Sequence, residues 1–240
     1  RANRFLARNA REALLSLPLF ETQLKCPVFQ TGFPVRPDLV AAAQSNTPTA
    51  SQARTAFGFT SDAPVLLVFG GSQGASFLNS VVPEALKHFQ SNSSAPPHIL
   101  HLSGSDDEQV RLQTLYAKAE IKACVLDRTE DMAACYHAAD LVLCRAGGAT
   151  IAELALFKKP AILVPFPAAT DDHQTANAQT LADVRAAIHI PQNEATPPRL
   201  AVELDQLLRT PDARNYFAAQ IANFANPDAA DTVIERIQAS

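Results

Sequence analysis

Val65–Phe69 reads VLLVF, a run of strand length with no polar residue in it, and comparable runs recur at 99–102, 124–126, 141–144, 161–165 and 186–190. A strand with one face in water alternates apolar and polar residues, whereas a strand that is apolar throughout is covered on both faces. Between these runs lie segments of helical composition at 77–90, 106–119, 131–138, 150–157 and 174–182. Strands that alternate with helices predict βαβ units, and so an α/β fold with a Rossmann-like parallel sheet flanked by helices. Such a sheet places its ligand at the carboxyl ends of its strands.

The remaining segments carry different signals. Residues 200–208, 211–225 and 228–239 read as helices with no strand signal. Near the start, 3–16 reads as a helix with Leu6, Ala7, Ala10, Leu14 and Leu15 as its apolar positions, followed by an extended stretch at 27–30 and a turn at Gly32-Phe33-Pro34. The stretch 41–61 is rich in Ser, Thr, Ala and Gln and reads as a surface connection or a mobile excursion. A chain of 240 residues accommodates one large domain, or one domain plus a fragment of another. Its formal net charge of −4 offers no overall attraction to nucleic acid. Cys26, Cys124, Cys135 and Cys144 form neither a C-x-x-C pair nor a zinc spacing, so they read as reduced thiols, two of them in apolar strands. No run approaches the ~20 apolar residues that cross a bilayer. The opening RANRFLARNAREALL lacks both a starting Met and the apolar core of a secretory signal, so the chain is expected to begin inside a longer protein.

Three polar stretches follow apolar runs. Gly70-Gly71-Ser72-Gln73-Gly74 comes directly after VLLVF and before a helix. Glycines let a backbone approach a ligand closely, and the free N–H groups of a helix start favour anions. The stretch therefore reads as a phosphate site or as a tight strand-to-helix turn; it is neither a Walker loop nor G-x-G-x-x-G. The second stretch, from Arg145 through Gly147, Gly148, Ala149 and Thr150 to Glu153, repeats this arrangement after DLVLC. Glu153 is expected near the first turn of its helix, where it either accepts hydrogen bonds from a ribose diol or serves local stability alone. The third, Thr170 to Asn177, offers Asp171 or Asp172 as a helix cap, with His173, Gln174 and Asn177 near the helix start. Gln174 has both a donor and an acceptor for sugar hydroxyls, while His173 by itself reads as an ordinary surface residue. All three stretches belong to one edge of the sheet, and together they fit a nucleotide diphosphate sugar.

These residues have a family resemblance. GGSQGA at 70–75, Asn79, HLSG at 101–104, EDMAACYHAADLVLCRAGGATIAEL at 130–154, VPFPAATDDHQTANA at 164–178 and NPDAADTVIERI at 226–237 resemble the MurG family of glycosyltransferases in order and spacing. GFPVR at 32–36 is similar to the family's G-N-P-V-R hinge. The resemblance implies the donor-binding half of a GT-B fold, two Rossmann-like domains facing across a cleft. It divides the chain into 1–36, the tail of an amino-terminal acceptor domain with the hinge; 37–225, a UDP-sugar-binding domain; and 226–240, a carboxyl-terminal helix packing back toward the amino-terminal domain.

The implied activity is an inverting transfer of N-acetylglucosamine from UDP-N-acetylglucosamine to the 4-hydroxyl of a lipid-linked N-acetylmuramyl-pentapeptide in peptidoglycan synthesis. It takes place at the cytoplasmic face of the bacterial plasma membrane, with the enzyme attached peripherally. The resemblance implies no cofactor or metal, and the chain has no Asp-x-Asp motif. The catalytic base is expected in the amino-terminal half, outside this chain, so the chain alone is expected to bind donor and to turn over poorly or not at all. Carried over by motif, Arg36 approaches the nucleotide, and Gly71, Ser72 and Gln73 approach the diphosphate. The backbone at Thr129 reads the uracil edge. Gly148, Ala149 and Thr150 form the loop over phosphates and sugar, Glu153 holds the ribose, and Gln174 with His173 binds the sugar hydroxyls. Three positions depart from the family pattern, which has Asn at Phe33, Gln at Leu102 and an apolar residue at Thr129. The rival readings are another GT-B glycolipid synthase, a UDP-sugar epimerase, a nucleotide-sugar-binding module without catalysis, and a structural protein that keeps the fold.

Overall fold

A computed structural model of the chain describes residues 5–18, 24–60, 63–71, 76–90 and 96–239. Two short strands come first, β1 (Ala13–Leu15) and β2 (Val28–Gln30), paired in parallel. The helices α1 (Pro37–Ser45) and α2 (Ala50–Ala56) follow. Strands and helices then alternate: β3 (Val65–Phe69), α3 (Ser76–Gln90), β4 (His98–Leu102), α4 (Asp106–Lys118), β5 (Ala123–Leu126), α5 (Met132–Ala138), β6 (Leu141–Cys144), α6 (Gly148–Leu156), β7 (Ala161–Leu163), α7 (His173–Asp183) and β8 (Ile188–His189). Helices α8 (Pro197–Arg209), α9 (Pro211–Ala222) and α10 (Ala229–Ala239) end the chain. Among the described residues no helix is long and apolar enough to cross a membrane.

The six strands from β3 onward form one parallel sheet in the order β5-β4-β3-β6-β7-β8. The chain starts in the middle with β3, winds outward to β5, then returns beside β3 with β6 and winds outward the other way. Connections leaving β3 and β6 thus diverge, and a crevice opens at the carboxyl ends of these two strands. The uniform apolarity of β3 follows from its two neighbouring layers. Val65, Leu67 and Phe69 pack with Leu39 of α1, Tyr136 of α5 and Leu154 of α6, while Leu66 and Val68 pack with Leu78 of α3, Leu112 of α4 and Leu204 of α8. Each such side chain is worth about 1.5–3 kcal/mol when fully buried, which makes this strand pair the anchor of the crevice. At the opposite end of the sheet, Asp140 Oδ2 accepts from the Val65 N–H at 2.7 Å and from Arg54 Nη2 at 2.7 Å, tying α2 to the starts of β3 and β6.

Two sequence expectations give way here. The helix read over 3–16 is short: among the described residues its turns end with Arg8 N–H donating to Phe5 O and Asn9 N–H to Leu6 O, and Ala13–Leu15 becomes β1. Leu14 and Leu15 have a parallel partner in β2, and tertiary pairing overrides local helix propensity. Asn3 lies outside the described residues. The polar stretch 41–61 is helical over most of its described length. Thr49 and Gln52 form a capping box that starts α2, a signal that Ser/Thr-rich composition hides.

The last helix reaches back to the first strands. Arg236 pairs with Glu12, and its guanidinium lies 4.4 Å from the centre of the Phe29 ring. Asn226 Nδ2 donates to Thr31 O at 2.7 Å. The adjacent Gly32 has φ +77°, and a Cβ placed there lies 3.0 Å from Asn226 Cβ, so backbone conformation and space both require glycine.

Candidate functional site

The carboxyl ends of β3 and β6 run into Gly70-Gly71 and Arg145-Ala146-Gly147, one on each side of the crevice. Gly71 is exposed in the left-handed region, φ +92°, which fits a turn that brings backbone close to a ligand. Ser72 and Gln73, expected at the diphosphate, lie outside the described residues. Opposite, Gly147 is the N-cap of α6, and the first helical bond runs from Ile151 N–H to Gly147 O at 3.0 Å. The N–H groups of Gly148, Ala149 and Thr150 therefore precede the ladder, at the positive end of the helix dipole. They form a helix start of the kind that favours anions, at the switch point of the sheet.

Glu153 lies two residues deeper in α6 than expected. It is the sixth residue of the helix, beyond the turn in which the dipole acts on a carboxylate. Burial pushes its carboxyl above the ordinary range, opposed by a hydrogen bond from Tyr136 and by the charge of Arg36. The Tyr136 hydroxyl donates to Glu153 Oε2 at 2.8 Å. Arg36, at the N-cap of α1, is exposed and lies 3.4 Å from Asp38. The start of α1 and α6 thus meet around a half-buried carboxylate.

The three departures from the family pattern have distinct outcomes. Phe33 packs on the start of α6: a Cβ on Gly148 meets the Phe33 ring at 3.4 Å, an ordinary contact. Leu102 belongs to the core rather than the cleft, only 9% exposed and packed in the same layer as Phe69 and Cys144. Thr129 Oγ1 accepts from the Asp131 N–H at 3.0 Å, a local turn that leads into α5. That helix carries Tyr136 to Glu153.

On the other flank, Gln174 Oε1 accepts from the N–H groups of Ala146, 3.3 Å, and Phe166, 3.0 Å. Both lone pairs of the oxygen are occupied, so what Gln174 has left to offer is its amide nitrogen, as a donor rather than as donor and acceptor. Asn177 Nδ2 donates to Ala146 O at 3.0 Å, which secures the same loop. His173 is exposed, and its Nδ1 is 2.7 Å from Thr170 O. Asp172 occupies the N-cap of α7 at φ +53° without a side-chain cap bond, and Asp171 is also left-handed. Arg145 holds the layer beneath. It donates through Nη1 to Val164 O and Pro165 O, both 3.0 Å, and through Nη2 to Gln192 Oε1 at 2.7 Å. Beside Gln174 a cavity of about 700 Å³ opens, lined by Phe77, Pro165, Pro167, Asp172, Thr175 and Gln192 among others.

Tyr136 and Arg145 are the residues that motif reading passed over. Tyr136 had a signal: a tyrosine in a largely apolar helix needs a partner for its hydroxyl, and Glu153 is in the next βα unit.

A parallel sheet wound outward from its middle, with a glycine turn on each side of the switch point and a carboxylate below one of them, defines the nucleotide-binding half of the GT-B glycosyltransferase class. The glycosyltransferase family 28 C-terminal domain matches residues 65–233, and the chain belongs to that family. The UDP-N-acetylglucosamine--N-acetylmuramyl-(pentapeptide) pyrophosphoryl-undecaprenol N-acetylglucosamine transferase of Chromohalobacter salexigens is 41% identical over 233 residues, 97% of this chain and 60% of that protein. The crystal structure of Acinetobacter baumannii MurG superposes with a TM-score of 0.77 at 32% identity, over 100% of this chain and 63% of that one. A UDP-GlcNAc 2-epimerase from Neisseria meningitidis, solved with UDP-GlcNAc, has a TM-score of 0.61 at 15% identity over 89% of this chain and 55% of its own, and shares the fold alone. The chain spans about 60% of the length of the curated relatives it matches.

Proposed function

We propose that this chain is the donor-binding portion of an inverting glycosyltransferase that moves N-acetylglucosamine from UDP-N-acetylglucosamine to the 4-hydroxyl of a lipid-linked N-acetylmuramyl-pentapeptide. The observation that carries the reading is the start of α6, whose first N–H groups precede the helical ladder beside the glycine turn after β3, with a half-buried carboxylate one turn below. The relatives' names supply the sugar and the acceptor. In this reading residues 1–36 end an acceptor-binding domain, 37–225 bind donor and 226–240 pack back across the hinge. The enzyme works peripherally at the cytoplasmic face of the bacterial plasma membrane.

The chemistry follows from charge. The acceptor hydroxyl attacks the anomeric carbon, a base takes its proton, and the bond to UDP breaks with negative charge growing on the diphosphate. The amides of Gly148, Ala149 and Thr150, with Ser72 and the turn at Gly71, stabilise that charge without rearranging during the reaction. Glu153 accepts from the ribose hydroxyls, Arg36 flanks the nucleotide, and the Gln174 amide donates to the sugar. The base is not assigned to this chain.

Calorimetric titration of the chain with UDP, UDP-N-acetylglucosamine and UDP-glucose tests the reading. Binding of the first two, weaker binding of the third, and weakening of all by Glu153→Ala are expected. Absence of binding both by this chain and by the full-length protein overturns the reading. Binding without transfer by the full-length protein makes it a nucleotide-sugar-binding module instead.

A further inference from the structure

Glu153 is held from behind by one hydroxyl. Tyr136 is fully buried, and its ring is fixed by Phe157, stacked at 4.9 Å, and by Phe69, edge-on at 6.2 Å. It therefore cannot follow the carboxylate if the latter turns; the carboxylate turns to meet it. The hydroxyl donates to Oε2 at 2.8 Å and takes one of the roughly four acceptor sites a carboxylate offers. Arg36 and Asp38 act on the same carboxylate from the hinge side, and Cys144 lies near it below.

Resting on the donor-site reading above, we propose that Tyr136 is a positioning residue, one that sets the plane of the Glu153 carboxylate so that it accepts from both ribose hydroxyls, and that this pairing makes the site prefer ribonucleotides to 2′-deoxyribonucleotides. A diol presents its two hydroxyls at a fixed separation and direction. A carboxylate free to rotate satisfies one of them well and the other poorly, whereas one pinned at Oε2 meets both at little cost in lost rotation. The pin also favours the ionised form that accepts two bonds. Burial raises the Glu153 pKa, and the hydrogen bond from Tyr136 and the charge of Arg36 lower it, with Asp38 opposing them. Burial pushes the thiol of Cys144 well up, so it faces Glu153 uncharged.

The test is Tyr136→Phe, which keeps the ring and removes only the hydroxyl, titrated with UDP and with 2′-deoxy-UDP. The unsubstituted chain is expected to prefer UDP. The variant is expected to lose about tenfold in UDP affinity, the size of one hydrogen bond to a charged group, and much less for the deoxy compound. The ratio between the two ligands therefore collapses. The pH profile moves as well: the variant loses UDP affinity at a higher pH than the parent as pH falls, because its carboxylate takes up a proton earlier. If Tyr136→Phe does not fold, Phe157→Leu loosens the ring with the hydroxyl present, and a smaller fall in the same ratio is expected. A parent chain that binds no UDP sinks the donor-site reading and this inference together. A parent that binds UDP with no ribose preference, or a variant whose ratio and pH profile match the parent, sinks the inference alone.

Discussion

Replacing Gly32 by alanine separates two costs that usually arrive together. Gly32 and Gly58 have nearly identical left-handed backbones, φ +77° and +76°. Holding alanine there costs about 1–2 kcal/mol in either place, less about 0.4–1 kcal/mol regained because the unfolded chain has fewer conformations. At Gly58 no described atom lies within 4 Å of the added methyl, so Gly58→Ala is expected to cost about 1 kcal/mol or less. At Gly32 the methyl lies 3.0 Å from Asn226 Cβ and 3.3 Å from Ala229 Cβ, both atoms carried directly on backbone. Such overpacking adds about 1–3 kcal/mol, and displacing Asn226 puts at risk its bond to Thr31 O, about 0.5–1.5 kcal/mol more. Gly32→Ala is therefore expected to cost about 3 kcal/mol in all. Urea unfolding of the two variants beside the parent measures this as a shift in midpoint at constant m-value. Equal destabilisation by both substitutions would refute the reasoning, because the contact with Asn226 would then contribute nothing.

Three further outcomes are expected. Arg145→Lys loses the fork that reaches Val164 O, Pro165 O and Gln192 at once, and should destabilise by on the order of 2–3 kcal/mol in the same assay. His101 is buried between Tyr116 and Asn79, and burial lowers its pKa to about 3. Below pH ~6.5 the unfolded chain takes up a proton there and the folded chain does not, so this share of stability is full above pH ~6.5 and falls by up to ~1.4 kcal/mol per unit as pH drops toward 3. Its ring resonances should not titrate between pH 5 and 8, and a midpoint near 6.5 would contradict the burial argument. In the full-length protein, Ser72→Ala should slow transfer by ~10²–10³ with little change in UDP binding, and an unchanged rate would remove Ser72 from the chemistry.

The sheet was legible because its signal is physical and repeated. VLLVF can be apolar throughout only if covered on both faces, and it is covered by α5 and α6 on one side and by α3 and α8 on the other. The two glycine turns were legible because each follows such a strand. What escaped the sequence depends on distant partners. Leu14 and Leu15 become strand only because Val28–Gln30 lies alongside. Composition hid the Thr49–Gln52 capping box, and the depth of Glu153 in α6 depends on which glycine begins the helix. Leu102 could not be assigned to core or cleft from its neighbours, because β4 is buried on both sides. Gln174 looked equally able to donate and to accept until two backbone amides were found on its oxygen.

The chain passes between the β1–β2 pair and the six-stranded body twice, at 31–36 and again at 223–228, and the Asn226 side chain buttons one passage to the other. Two bodies joined by one strand of chain can swivel freely. Two passages fastened side by side restrict that twisting, as paired pins do for a door. Phe33 and Arg36 lie on the first of these passages, one against Gly148 and the other within electrostatic reach of Glu153. Residues 32–36 therefore bring an aromatic ring and a guanidinium to the mouth of the crevice together, which makes this passage of chain part of the crevice wall.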